Sequence, residues 1–140
     1  FPACRFPAIL LDAPCSAEGT ACRNPVALQR WRPRLIQKLA RIQQRLILAA
    51  FDRLVPGGTM VYSTCTFAPE ENEAIVSFAK ENFPIEIEKV SLPLKCRQGV
   101  TNWQDEEFNS EVAHTCRIYP HDNDSEGFFV AKIKLMGEIK

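Results

Sequence analysis

Residues 8–11 read Ala-Ile-Leu-Leu, an apolar run with no polar interruption that stops at Asp12-Ala13-Pro14. A strand with one wet face alternates apolar and polar side chains. A continuous run instead needs cover on both faces, the condition of a strand inside a parallel sheet. Phe6–Leu11 is therefore expected to be such a strand, closed by Asp12 and Pro14. A loop follows through Gly19 to about Pro33. From Arg34 onward Leu35, Leu39, Ile42, Leu46, Ala50 and Leu54 recur at spacings of four and three, which predicts an amphipathic helix with Lys38, Arg41 and Arg45 on its wet side. Pro56-Gly57-Gly58 should end it.

Thr59–Tyr62 reads as a second short strand, closed by Ser63-Thr64-Cys65-Thr66. A second helix is expected from Pro69, with Glu70 and Glu71 at its positive end and Ala74, Ile75 and Phe78 facing the core. Ile85–Val90 alternates as a third strand, and residues 91–114 are polar and irregular. Arg117–Tyr119 and Gly127–Leu135 complete the pattern, the latter alternating from Phe129 through Ala131, Ile133 and Leu135. The order predicts an α/β domain whose sheet ends in an antiparallel hairpin. Its first strand is apolar enough to require a neighbour on its open edge.

The 140 residues suffice for one domain with a single core, and 46% hydrophobic with 24% charged residues is an ordinary globular composition. No apolar run approaches the ~20 residues of a membrane span. The opening residues lack the pattern of a signal peptide, so a cytoplasmic location is expected. A formal net charge of zero excludes a chain that binds nucleic acid by bulk charge; phosphate attraction would have to come from a local patch or another domain. The six cysteines, at 4, 15, 22, 65, 96 and 116, contain no Cys-x-x-Cys pair of the zinc-site type. A chain this rich in core residues has no need of staples, so free thiols are expected. Cys4, Cys22, Cys96 and Cys116 read as small buried hydrophobes. Because the chain opens on Phe1 and a strand follows almost at once, it reads as a piece of something longer.

Two polar segments, Asp12–Thr20 and Ser63–Thr66, each follow a predicted parallel strand, and ligands of open α/β sheets bind at those strand ends. Taken singly, Asp12 caps a loop, Pro14 shapes a turn, and either cysteine packs in a core. Together they place two thiols and a carboxyl group in one pocket. That set suits alkylation of cytosine at carbon 5. A thiolate added to carbon 6 breaks the ring's aromaticity and makes carbon 5 nucleophilic. A carboxyl group near ring nitrogen 3 shares a proton as charge develops there, and a second thiol assists expulsion of the first.

Asp12-Ala13-Pro14-Cys15-Ser16 with Glu18-Gly19-Thr20 resembles the fourth motif of the NOP/Sun family of S-adenosylmethionine-dependent RNA cytosine-5 methyltransferases. Ser63-Thr64-Cys65-Thr66 resembles its sixth motif, followed by Pro69-Glu70-Glu71-Asn72-Glu73. Arg117-Ile118-Tyr119-Pro120-His121 and Gly127-Phe128-Phe129-Val130-Ala131 resemble its eighth. The resemblance implies that Cys65 is the nucleophile, Cys15 aids product release, Asp12 lies near both the cytosine and S-adenosylmethionine, and Pro14 shapes the base pocket. It gives His121 and Gly127–Phe129 structural roles beside the site. Ala17 stands where the family usually has glycine.

The family's glycine-rich loop with its lysine, its ribose-binding acid and its adenine-side aspartate lie upstream of the fourth motif. The chain is thus expected to be the C-terminal half of a Rossmann-like seven-stranded domain, strands four to seven. The N-terminal cofactor-binding half would lie in the same or another polypeptide, and the chain alone would be unstable. The implied partner is transfer or ribosomal RNA, with the base flipped or unpaired. The alternatives are a DNA cytosine-5 methyltransferase, in which Cys15 would attack, and a non-catalytic RNA-binding subunit retaining the fold.

Overall fold

A computed structural model describes residues 3–139. The chain runs through β1 (Phe6–Asp12), α1 (Val26–Arg30), α2 (Pro33–Phe51), β2 (Leu54–Thr64), α3 (Glu73–Asn82), β3 (Ile85–Glu88) and β4 (Arg97–Gln98). It continues through β5 (Asn102–Trp103), β6 (Glu106–Glu107), β7 (Cys116–Ile118), α4 (Pro120–Asn123) and β8 (Phe128–Leu135). β1 pairs parallel with β2, and β2 antiparallel with β8. The far edge of β8 is shared: β7 pairs with its first half and β3 with its second, both antiparallel. β4 extends the sheet beyond β7, and β5–β6 form a separate small hairpin. The expected α/β sheet with a terminal antiparallel pair is present; α4 lies in the connection between β7 and β8.

Helices α2 and α3 touch each other and bury a single face of the sheet. Met60 and Tyr62 of β2, Phe129, Ala131, Ile133 and Leu135 of β8, and Ile85 and Ile87 of β3 all point into that layer. They meet Ile47 and Phe51 of α2 and Ile75, Val76 and Ala79 of α3. Each such side chain contributes about 1.5–3 kcal/mol by leaving water. Alternation in β3 and β8 follows the sequence expectation, because each has one buried and one wet face.

Four expectations need correction. β1 is covered on one face only: Ile9 and Leu11 are half-buried, while Leu10 is 71% and Phe6 49% exposed, and β1 is an edge strand among the described residues. The face of α2 buried deepest is Ile36, Gln43, Ile47 and Phe51. The predicted ridge of Leu35, Leu39, Ile42 and Leu46 lies on its flank, half-buried. The apolar stripe is wide, and the contact with α3 selects which part of it turns innermost. Leu54 belongs to β2, which runs straight through Pro56-Gly57-Gly58. Gly57 (φ 80°) makes room for a bulge there, shifting the β1–β2 register between Phe6 and Ala8. Finally, α3 begins at Glu73, four residues after Pro69.

The cysteines also divide differently. Cys96 and Cys116 form a disulfide, with Cα atoms 5.5 Å apart, because pairing of β4 with β7 brings two chain segments 20 residues apart side by side. No sequence spacing announces such a bridge. Cys4 and Cys22 are exposed free thiols rather than buried ones.

Candidate active site

Parallel pairing of β1 and β2, with Asp12 opposite Ser63, delivers the two polar segments to the same edge of the sheet. Ala13 N–H extends the ladder by donating to Ser63 O at 3.0 Å, and both chains then turn away. The result is direct contact between the two thiols: Cys15 Sγ and Cys65 Sγ lie 3.2 Å apart. Asp12 stands exposed beside them on the open face of the sheet, accepting a hydrogen bond from Ser63 Oγ at 3.1 Å. Asp12, Cys15 and Cys65 are thus assembled as expected from sequence.

The two sulfurs are not equivalent. A hydrogen bond from the Cys15 thiol stabilises a negative Cys65 sulfur and draws its pKa down to about 7, against the opposing effects of burial and the Asp12 charge. The same contact, with burial added, holds Cys15 protonated well above the ordinary thiol range. The Cys65 N–H directed at Cys15 Sγ (3.4 Å) opposes this without reversing it. The contact thus biases Cys65 toward the thiolate and Cys15 toward keeping its proton. Alkylation of Cys65 by iodoacetamide should rise with pH through a midpoint near 7, since the thiolate is the reactive form. In Cys15→Ala the midpoint should move up toward the ~8.5 of an ordinary thiol. Mass spectrometry of the labelled peptide reads both; an unchanged midpoint would show that Cys15 does not tune Cys65.

Beneath the thiols lies a buried polar network that the sequence reading missed. Glu71, fully buried, accepts from Ser16 N (3.0 Å), Ser16 Oγ (2.5 Å), Gln43 Nε2 (3.0 Å) and Thr66 Oγ1 (3.3 Å). Burial raises its pKa despite those donors. Gln43 Nε2 also donates to Pro14 O at 2.8 Å, so α2 fixes the turn that carries Cys15. Tyr62 Oη donates to Glu71 O at 2.6 Å. Glu71, expected at a solvated helix start, instead ties the residue after each cysteine to the other. Gln43 had a visible signal, an amide inside an apolar stripe. Glu71 had none, because its burial depends on three segments meeting.

A third acid, Glu73, is paired bidentately with Arg117 at 2.5 and 2.7 Å, both side chains being essentially buried. Arg117 Nη1 also donates to Phe67 O at 3.0 Å, holding the chain just past Cys65. Phe67 stacks on Tyr119 (centroids 5.3 Å apart), which in turn lies 5.4 Å from the His121 ring. His121 thus stands in an aromatic row with Tyr119 and Phe67 beside the site.

Gly19 and Gly127 close the loop against the segment that carries Cys65. Gly19 N–H donates to Cys65 O (2.8 Å), and Gly127 N–H to Gly19 O (2.8 Å). A Cβ on Gly19 would collide with the Gly127 carbonyl and lie 2.8 Å from Cys65 O. Ala17 has φ 61° and ψ 26°, a left-handed conformation that disfavours any Cβ. Ala17→Gly is expected to raise stability by up to about 1 kcal/mol, relief of strain exceeding the added freedom of the unfolded chain. A thermal melt checks it, and a lowered midpoint would count against the strained backbone.

The mixed α/β sheet matches methyltransferase-like folds among solved structures. A methyltransferase homolog protein from Pyrococcus horikoshii superposes with a TM-score of 0.80 at 34% identity, over 94% of this chain and 40% of that one. The family model described as 16S rRNA methyltransferase RsmB/F matches residues 3–134, and the chain belongs to that family. A relative from Pyrococcus abyssi named tRNA (cytosine(49)-C(5))-methyltransferase is 45% identical over 92% of this chain and 42% of its own length. NSun6 from Pyrococcus horikoshii, solved with SFG, superposes with a TM-score of 0.73 at 32% identity, over 92% of this chain and 30% of that one. The chain thus spans less than half the length of these relatives. Among the described residues no helix is long and apolar enough to cross a membrane.

Proposed function

We propose that this chain is the C-terminal catalytic half of an RNA cytosine-5 methyltransferase, with Cys65 as nucleophile, Cys15 as the release residue and transfer RNA as substrate. The observation that carries the reading is the 3.2 Å contact between the two sulfurs, within which the Cys65 pKa is drawn down and that of Cys15 pushed up. A Cys15 nucleophile, as the DNA-methyltransferase alternative requires, would need the opposite polarity. A scaffold subunit would need no thiol with a depressed pKa. The match to a relative named for tRNA cytosine methylation supports the substrate class.

The Cys65 thiolate adds to carbon 6 of the cytosine, forming the S–C6 bond as the ring's electron pair moves toward nitrogen 3. Asp12, exposed at the mouth, is placed to share the proton there. S-adenosylmethionine, when bound, supplies the electrophilic methyl group that carbon 5 accepts. The carbon 5 proton then passes to solvent water, its bonding pair reforms the C5=C6 double bond, and the S–C6 pair leaves on the Cys65 sulfur. The Cys15 thiol, its Sγ 3.2 Å from the departing sulfur, donates a hydrogen bond that stabilises it as a thiolate. Pro14, its carbonyl anchored by Gln43, sets the wall that orients the base.

The cofactor fits these residues at one point. Asp12 lies on the open face at the end of β1, beside the exposed Leu10, so the cofactor would lie against β1 and Asp12 would contact it. The remaining contacts belong to an N-terminal half, whose sheet would continue from the free edge of β1. In that reading β1, β2, β3 and β8 are strands four to seven of a Rossmann-like sheet.

The test is transfer of labelled methyl from S-adenosylmethionine to unmodified transfer RNA and 16S ribosomal RNA, read as 5-methylcytosine. The chain is assayed alone and joined to its N-terminal half. Label in transfer RNA with the joined protein, and no calorimetric cofactor binding to the chain alone, are expected. Label only in ribosomal RNA would move the substrate; no 5-methylcytosine in either would overturn the activity.

A further inference from the structure

Beyond the thiols, between the two segments that carry them, opens a groove of about 720 Å³ that the mechanism does not use. Glu18, three residues after Cys15, and Phe67, two after Cys65, line one end of it, so it opens beside the segments that carry the thiols. Its sides carry two tryptophans from distant parts of the chain: Trp31, just after α1, is 39% exposed, and Trp103, on the β5–β6 hairpin, is 42% exposed. Large exposed indoles cost free energy unless something covers them, and a pair lining one groove marks a binding surface. Each is fixed by its polar edge. Trp31 Nε1–H donates to Glu18, and Trp103 Nε1–H donates to Glu70 Oε1 at 3.0 Å. Glu18 in turn accepts from Phe67 N–H at 3.2 Å, which ties that end of the groove to the Cys65 segment.

The charge of the lining selects the ligand. Glu18, Glu70 and Glu106 line the groove together with Gln37 and Gln104, and neither lysine nor arginine does. Phosphate would be repelled. A flat, uncharged ring with N–H donors on its edge is suited to both features, stacking on indole and donating to carboxylate or amide oxygen. The volume lies within the roughly 300–1,000 Å³ of small-ligand sites. The target cytosine needs the space in front of Cys65, so the ring in the groove is a different one.

We infer that the groove between Trp31 and Trp103 binds an unpaired nucleobase flanking the target cytosine, preferring bases with an exocyclic amino group (cytosine, adenine or guanine) over uracil. The inference rests on the methyltransferase reading above and adds a subsite to it. The flanking base is held by its face and amino edge. Its phosphates remain outside, toward whatever basic surface binds the backbone.

The experiment uses the chain joined to its N-terminal half and short RNAs in which each nucleotide beside the target is replaced in turn by uracil or an abasic unit. One position should stand out. There the abasic substitution should raise KM about ten-fold, and uracil by less, with kcat little changed. Trp103→Ala should raise KM about ten-fold on the parent RNA and make it insensitive to the abasic substitution. Trp103→Phe, which keeps a stacking ring and loses the N–H bond to Glu70, should restore most of the KM effect. That rescue separates a contact with RNA from a defect in folding. Parent-like KM in Trp31→Ala and Trp103→Ala, or equal sensitivity of variant and parent to the abasic unit, would overturn the subsite while leaving the methyltransferase reading intact. Should an arginine-rich peptide bind the groove while no abasic position matters, the occupant is a cationic chain and the inference falls. Absence of methylation by the parent protein on every RNA would instead remove the reading on which it rests.

Discussion

Cys65→Ala is expected to abolish methyl transfer, by about 10⁴-fold or more, and to form no covalent complex with RNA. Cys15→Ala should also stop turnover but leave a protein–RNA adduct that survives denaturing electrophoresis. The difference follows from the geometry of one contact. In the proposed mechanism Cys65 makes the bond to the base, so its loss removes the first step. Cys15, its sulfur 3.2 Å away, is the proposed donor to that sulfur, so its loss leaves addition possible and deprives the departing thiolate of its stabilising donor. Removing Cys15 also returns the Cys65 thiol toward its ordinary pKa, making it a more basic and poorer leaving group. Since only the thiolate adds, adduct formation by Cys15→Ala should rise with pH toward the ~8.5 of an ordinary thiol. Adduct formation by Cys65→Ala and none by Cys15→Ala would exchange the roles and remove the RNA-family mechanism.

Arg117→Met should produce the largest loss of stability of any single side-chain change near the site, about 3–5 kcal/mol. The reason is what it leaves behind. Glu73 is completely buried, and without Arg117 its carboxylate retains the Val100 N–H at 3.1 Å as its remaining donor. Phe67 O loses its Arg117 donor as well, which frees the segment next to Cys65. For a domain of this size the fall in melting temperature should be roughly 10–15 °C, a large part of the margin by which such domains are folded. The paired change Glu73→Gln with Arg117→Met should recover much of it, because no unpaired charge then stays buried. A melt of the three variants beside the parent decides the matter; equal losses in the single and double variants would mean that packing, and not the charge, carries the effect.

The candidate site was more legible than the fold around it. Asp12, Cys15 and Cys65 were accessible because each lies within four residues of the end of a short apolar run, and the end of a strand is a fixed place in an α/β sheet. The alternation of Phe129, Ala131, Ile133 and Leu135 was readable for a similar local reason. The innermost face of α2 was not, since its apolar stripe is wide enough to rotate and only the packing of α3 settles which residues turn inward. Nor was the Cys96–Cys116 bridge, whose partners meet through the pairing of two short strands with no local signature.

The sequence by itself determined the candidate residues and that their two segments share one edge of a sheet, because strand order and motif spacing are properties of the chain. Only the tertiary structure brings the two thiols into contact and makes them unequal, which is what supports the proposed division of roles between them. That depends on which sulfur donates and which is left to carry charge, a matter of about 3 Å and of the neighbours that hold it. Glu71, Gln43 and Arg117 enter for the same reason. A buried hydrogen-bond network is specified by side chains brought together from remote segments, and no local pattern in a sequence encodes where they meet.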